Sequence, residues 1–546
     1  MRWASWLKPV AMRHGPAALV YVAVATFVMW PMFSAGSPPG VDAPTFLHLS
    51  WVVDQMLTGN LGSIFTDPYW YGGWSYAAAY PPLAYGAVGL LSAVSPIPIE
   101  IGLRIFTFLA LVSFGLAVYG LALEFGLRRI LAAWAGLLSM LSYPVFVSLG
   151  IFGWFSTMVA MPFAIAGFAV LERAIRTDSG RTALVAGALV GASLLAHHMT
   201  AFAFGIAMVP WAVYRLTARD YEWRNVARLL ALSAAGFFAI AGLWIIFFIV
   251  EILNVGFERE VPGNWVVDAS EASRRAFARE YVGREIYPSY VGLVQVPLAL
   301  AGVIYAFITR SRALGAAIVL VVLAWFAHGS HAMPLIEVWP FSGLDVARFT
   351  LFMVPFMAVV GAGFVDSVAK EFSSQFRVLE LPTWAPRWVL AVVIALLTWL
   401  PVQDAMNARA SLEPVQIGAQ ASLAMVWLQN ETPQDATVLA VGFRNWDDWW
   451  IPERADRPVM DGWNDEGAEA WREIREVRIM GWLGTVEVER LHEIMVSRGA
   501  DYLVVYRWQT LDSPQMFEEL VSAQPDLFER RVSWPQLSIF ERTGGP

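Results

Sequence analysis

Along the 546-residue chain, apolar positions gather into long unbroken runs separated by short polar segments. Runs of about 18 to 25 residues cross a hydrocarbon core as helices, whereas the strands of a membrane barrel would alternate over about ten. The pattern predicts spans near 16–36, 99–125, 130–149, 158–172, 182–197, 200–215, 228–252, 289–309, 314–329, 345–369 and 388–404. The fold class expected is therefore a polytopic α-helical membrane protein of about eleven transmembrane helices, with a soluble α/β domain at the C-terminus.

One apolar stretch resists this scheme. YPPLAYGAVGLLSAV, residues 80–94, is short and opens on two prolines. Counting it as a span would invert everything after it. Read instead as a short outer-side or re-entrant helix, it leaves Arg128 and Arg129, Arg173, Arg176 and Arg181, Arg215 to Arg228, Arg310 and Arg312, and Lys370 to Arg387 on one face with the N-terminus. Cytoplasmic loops carry such an excess of Lys and Arg. The expectation is a multi-pass plasma-membrane protein with a cytoplasmic N-terminus, residues 37–98 outside, and an extracytoplasmic C-terminal domain.

The tail changes character. Residues 411–546 hold the acidic excess of the chain and show helix and strand patterns of ordinary length. An amphipathic helix near 418–430 precedes the strand-like TVLAVGF, and VEVERLHEIMVSRGA reads as a helix stopped by Gly499 before the strand DYLVVY. This divides the chain into a membrane domain, 1–410, and an α/β domain, 411–546.

Composition excludes several functions. At 57% hydrophobic and 15% charged the chain is too apolar for a soluble globular protein of this size. With no cysteine it has neither disulfide framework nor thiol nucleophile. Basic residues do not cluster with aromatics in a polar segment, so no nucleic acid partner is expected. Neither GxxxxGK[ST] nor a strand-linked GxGxxG is present, which argues against an ATP-driven pump.

Candidate chemistry concentrates in residues 40–82, which hold three aspartates, a histidine, many Tyr and Trp, and no Lys or Arg. Asp42 stands just past the first span, before Pro44 and an amphipathic run with His48, Trp51 and Gln55 on one face. It fits a helix cap, a general base, or a ligand for a divalent cation such as magnesium or manganese. His48 fits a second ligand, a phosphate partner or an interfacial hydrogen-bonding residue. Asp54 and Asp67 are weaker candidates, and Asp67-Pro68 reads first as a turn. The aromatics, Tyr80 among them, suit an interfacial belt or a sugar-binding wall.

Elsewhere, His197 and His198 end a span, and ionisable groups inside a membrane are functional by default. A pair packed across helices is the alternative. Arg104 follows the same logic. Arg348, in FSGLDVARFTLFMVPF, opens a long apolar helix where a guanidinium can hold a lipid-linked phosphate. An Asp345–Arg348 pair one turn apart explains it equally. The loop 253–288 suits an amphipathic helix touching anionic headgroups or a solvated mixed-charge loop, and GFRNWDDWWIPERADRPVMDGW in the tail suits a loop packed on the membrane domain.

A first outer loop with G-x-D, a histidine six residues after the Asp, an aromatic segment ending in YPP, a histidine ending a middle span and an Arg in a late helix resemble the GT-C superfamily of membrane glycosyltransferases. The nearer likeness is to membrane proteins related to 6-pyruvoyl-tetrahydropterin synthase, the more distant one to oligosaccharyltransferase catalytic subunits. The resemblance implies a GT-C fold and a polyprenyl-phosphate-linked sugar donor, and gives Asp42 the role of first-loop base or metal ligand. GIFGWFST, residues 150–157, lacks the second-loop carboxylate of oligosaccharyltransferases, and NWDDWW, residues 445–450, departs from their WWDYG.

The expected activity is transfer of a sugar from this donor to a saccharide, lipid or protein acceptor at the outer membrane face. Asp42 is the catalytic candidate, and His48, Tyr80, Arg104, His197, His198 and Arg348 are the substrate-binding candidates. A transporter or flippase of lipid-linked saccharides, or a non-enzymatic cell-envelope assembly protein, is the alternative.

Overall fold

The computed structural model describes residues 2–546 except 62–66, 72, 74–79, 219, 256–289, 329–346, 379–381, 383, 442–449, 461–470, 484, 508–512 and 545–546. Asp345, the charged run of loop 253–288 from residue 256 onward, loop 328–345 from 329 onward, and NWDDWW apart from Trp450 lie outside the described residues. Two compact units emerge, and neither is a continuous piece of chain: one comprises 1–40, 104–243 and 260–414, the other 41–103, 244–259 and 415–546.

The helices in chain order begin with α1 (Arg2–Met29), α2 (Ala43–Leu57), α3 (Leu83–Val94), α4 (Ile99–Glu124), α5 (Arg129–Met140) and the short α6 (Tyr143–Phe146). After a π-turn at Val147–Ile151 come α7 (Phe155–Thr177), α8 (Gly180–Ala196), α9 (His198–Thr217) and α10 (Trp223–Val255). They continue as α11 (Gln295–Thr309), α12 (Leu314–His328), α13 (Ala347–Val378) and α14 (Ala385–Ala408), followed by a 3-10 turn at Arg409–Leu412.

Seven described helices are long and apolar enough to cross a membrane, and the bent pair α5 plus Tyr143–Ile151 makes an eighth candidate. The other three expected spans appear as α8 (17 residues), α11 (15) and α12 (15). At about 1.5 Å per residue these are shorter than the roughly 30 Å of a hydrocarbon core. The stretch 80–94 yields only the 12-residue α3, and its two prolines precede the helix.

The first unit packs helices through small residues, because lipid supplies no hydrophobic drive between helices and close backbone approach must replace it. A Cβ added to Gly187 of α8 would lie 1.7 Å from the carbonyl oxygen of Ser233 in α10, and one on Gly236 would lie 2.2 Å from that of Leu184. Charges at helix ends are paired. Arg128 reaches Asp366, Arg176 reaches Glu124, Arg228 lies 2.6 Å from Asp178, and the buried Arg215 binds Glu172. Tyr290 donates to buried Asp404 over 2.7 Å and meets Tyr143 edge-on.

The second unit is built on a four-stranded sheet with strands β1 (Val438–Val441), β2 (Tyr502–Tyr506), β3 (Phe528–Trp534) and β4 (Leu537–Arg542), in the order β1-β2-β4-β3. β1 and β2 run parallel, as a crossover carrying a helix requires, while β4 is antiparallel to β2 and β3. The tail adds α15 (Ala419–Glu431), α16 (Ile451–Ala455), α17 (Trp471–Leu483), α18 (Val488–Arg498) and α19 (Ser513–Ser522). Gly499, at φ 70°, closes α18 where the sequence places a C-cap.

The first loop belongs to this same unit. Val459 pairs with β1 at Val438 on one side and with Trp70 on the other. The bridge is hydrogen-bonded from Val459 N to Tyr69 O (2.7 Å) and from Tyr71 N to Val459 O (3.0 Å). Tyr69 adds a side-chain bond of 2.8 Å to Asp456. Against α2 lies α3, so close that a Cβ on Gly89 would sit 2.5 Å from the Ser50 carbonyl.

Candidate functional site

In the first unit a break between two helices creates the polar centre. His197 adopts extended backbone angles, φ −163° and ψ 110°, so that α8 ends and α9 begins on either side of it. Its Nδ1 lies 2.7 Å from Thr200 Oγ1 and 3.2 Å from Thr200 N, at the cap position of α9. Its Nε2 faces Arg348, whose Nη1 is 2.9 Å away and also reaches Thr157 Oγ1 at 3.0 Å. Arginine can only donate. On the other edge of the ring, Nδ1 accepts from the backbone N–H of Thr200 and so caps α9.

The guanidinium of Arg348 lies 4.4 Å from the ring centroid of Trp154, which is itself stacked on Phe152. Thr157, His197 and Arg348 are all buried. Such a guanidinium, oriented by an aromatic face and two neutral acceptors, suits a phosphate more than a sugar hydroxyl. Trp154 and Thr157 were not among the candidates. Their only signal lay in GIFGWFST, noted for its missing carboxylate rather than for the side chains it carries.

Two other candidates lie in this unit. His198 is half-buried, with its ring 5.6 Å from that of His197. Buried Arg104 hydrogen-bonds the carbonyl of Gly36 and so secures the exit of the first span. Gly40 lies directly on Gly153, where an added Cβ would come 2.3 Å from the backbone nitrogen, and both take positive φ (104° and 68°). Only glycine meets both demands comfortably. Val41 alone separates Gly40 from Asp42 in the sequence.

The second unit holds Asp42, His48 and Tyr80. Asp42 occupies the N-cap position of α2, but its side chain makes no cap hydrogen bond. The helix start uses Pro44 in the first turn instead. The carboxylate is buried, at 6% exposure. His48 binds Asp67 from Nε2 at 2.6 Å and stacks on Trp70, with centroids 4.4 Å apart and planes 16° apart. Asp67 also accepts from Tyr69 N, at 2.9 Å, in the turn that DP announces. Sequence gives no sign that this turn reaches back to His48, because the pairing crosses 19 residues. Tyr80 is buried between Phe46 and Tyr85.

Close to His48 stands Glu453 of α16, a residue the motifs did not single out. Burial pushes its carboxyl up to about 7, Arg454 works against that shift, Glu100 adds to it, and His48 opposes it. Arg454 itself bonds Glu100 at 2.9 Å.

Metal chemistry needs several hard ligands around one point. Among the described residues no three His, Asp or Glu side chains gather in that way. His48 and Asp67 are engaged with each other. This donor set does not fit a magnesium or manganese site, and no step below is routed through a metal.

No protein family and no curated protein matches the sequence. Solved structures do. The oligosaccharyltransferase AglB of Archaeoglobus fulgidus, in complex with an inhibitory peptide and a dolichol-phosphate, aligns with a TM-score of 0.61 and 14% identity, covering 95% of this chain and 72% of its own. Arabinofuranosyltransferase AftD from Mycobacteria gives 0.63 at 14% identity, covering 98% and 40%. ArnT from Cupriavidus metallidurans bound to undecaprenyl phosphate gives 0.53 at 16%, covering 97% and 99%. An oligosaccharyltransferase complex with zinc and sulfate is also similar. At such identities the likeness is one of architecture, and the chain is a multi-pass membrane protein with the fold of the GT-C glycosyltransferases.

Proposed function

We propose that the protein transfers a sugar from a polyprenyl-phosphate-linked donor to an acceptor hydroxyl or amide on the extracytoplasmic face of the membrane. The observation that carries this reading is the buried guanidinium of Arg348, set on Trp154 and held by Thr157 and His197. The neighbours whose structures contain dolichol-phosphate and undecaprenyl phosphate lend it support. In this reading Arg348 binds the phosphate that links lipid to sugar, and its charge gains most as that phosphate takes up the electron pair of the breaking bond.

Asp42 acts as the general base. It removes the proton of the acceptor as the acceptor oxygen or nitrogen bonds to the anomeric carbon, and the bond from that carbon to the phosphate oxygen breaks. The products are glycosylated acceptor and polyprenyl phosphate, and the proton resides on Asp42. The side chain makes no cap hydrogen bond to α2. The division into a membrane domain and an extracytoplasmic α/β domain, a cytoplasmic N-terminus, and kinship with the pterin-synthase-related membrane proteins complete the proposal. They rest on the helix and strand patterns of the tail, on the arginine distribution, and on the G-x-D and YPP motifs.

Purified protein in vesicles supplied with polyprenyl-phosphate sugars should release polyprenyl phosphate. Movement of intact donor across the bilayer without cleavage would refute transfer and favour a flippase.

A further inference from the structure

Arg128, Arg176, Arg215 and Arg228 each end on a carboxylate. Arg409 does not. It opens the 3-10 turn after α14, and its guanidinium carbon lies 4.6 Å from the ring centroid of Phe27 in α1. Its Nε is closed off from solvent and has no hydrogen-bond partner. Among the described residues no acceptor or carboxylate reaches the rest of the guanidinium either.

The surroundings are apolar and open. Phe27 is 47% exposed, Trp30 68%, Phe33 44% and Met406 57%. The turn Arg409–Leu412 packs on α1 and on the turn Trp30–Phe33 that follows it, which brings this exposed aromatic segment beside Arg409. Its other side rests on the chain at Gly150, where an added Cβ would lie 2.4 Å from the Ser411 carbonyl. That contact keeps the turn from moving inward to find a partner for Arg409.

Exposed aromatics at the end of a membrane helix lie at the level of lipid headgroups. At that depth the Nε of Arg409 loses water without gaining an acceptor, and an unmet charged donor is costly. A lipid phosphate removes both costs, since its oxygens accept from the guanidinium fork while the chains cover Phe27, Trp30 and Phe33. The flank faces away from the helix core, where the abundant lipid is that of the bilayer. A prenyl-linked donor is instead assigned to the enclosed Arg348.

We propose that Arg409, seated on Phe27 and flanked by Trp30 and Phe33, is a binding site for the phosphate headgroup of an anionic phospholipid. The site stands independently of the transferase reading.

The full chain in mild detergent is incubated separately with phosphatidylglycerol, phosphatidylcholine and polyprenyl phosphate, and retained lipid is measured by native mass spectrometry. Phosphatidylglycerol should be retained above phosphatidylcholine, and Arg409→Gln should cut its retention about fivefold, the factor for one cation near an anionic lipid. Trp30→Ser should lower retention too, and it serves where Arg409→Gln fails to fold. Equal retention of phosphatidylglycerol by wild type and Arg409→Gln, or by wild type and Trp30→Ser in that case, would overturn the proposal. So would an effect confined to polyprenyl phosphate, or a second copy of the chain occupying the flank in lipid-free detergent.

Discussion

Arg348 donates from Nη1 to Nε2 of His197 across 2.9 Å, on the opposite edge of the ring from the Nδ1 that caps α9. The pair therefore acts as one unit, in which the histidine orients the arginine. The helix break at His197 and the start of α13 at Arg348 are 151 residues apart in sequence.

If Arg348 carries the leaving phosphate, replacing it should act on the chemical step. Arg348→Ala is expected to lower kcat by about 10² to 10³, in the range seen for removal of a group that stabilises developing charge. Arg348→Lys should recover part of this, because a point charge replaces a fork that two neutral acceptors hold. Release of polyprenyl phosphate under saturating donor measures both. An unchanged kcat in Arg348→Ala would remove the phosphate-binding role.

His197 is a positioning residue in this scheme. His197→Ala removes one acceptor from Arg348 and strips the cap from α9, so KM for the donor should rise about tenfold at a cost of roughly 1 kcal/mol in stability. His197→Gln supplies an acceptor without a proton site. It should restore much of the KM while kcat stays near wild type, a split that a merely structural role would not produce.

Asp42→Asn separates chemistry from folding. The amide keeps the size and shape of the carboxylate, so the variant should still fold while transfer falls by about 10² to 10⁴. Thermal midpoint and turnover read the two effects independently. Full turnover in the variant would exclude Asp42 as the base.

The helical class was legible because apolar runs report burial in lipid directly, and β1, β2 and Gly499 were legible because their signals are local. The association of 41–103 with the tail was not, since nothing in DPYW or in RPVM announces the bridge between Trp70 and Val459. The candidate residues split the same way. Single ionisable side chains such as Arg348 and His197 stand out against an apolar background, but Trp154 and Thr157 do not. A Trp or Thr in an apolar helix start is ordinary until a cation is placed against it.

His48 and Asp67 form a buried pair on which Trp70 is stacked. Removing one member should be costly, because the other is left buried without its partner. His48→Ala is expected to destabilise the second unit by about 3 to 5 kcal/mol. Chemical denaturation with limited proteolysis of residues 415–546 would show it. The loss should exceed that of Trp51→Leu, whose ring lies beside His48 without a bond to it.

Glu453 gives the second unit a pH dependence of definite sign. Burial raises its carboxyl from an ordinary 4.5 to about 7, so the folded state prefers the protonated form. Its contribution is therefore fully present below 4.5 and is lost progressively as pH rises through about 7. The groups facing it act in both directions: Arg454 and His48 favour the carboxylate, while Glu100 disfavours it. Arg454 is itself bound to Glu100, which weakens the help it gives Glu453. The midpoint of unfolding of the full chain, followed through a tail signal such as a fluorophore on α18, should fall between pH 5 and about 7.5 in wild type. Glu453→Gln keeps the shape and stays neutral, so its midpoint should be flat over that interval and meet the wild-type value at the acid end. Parallel curves for the two proteins would mean that another group sets the dependence.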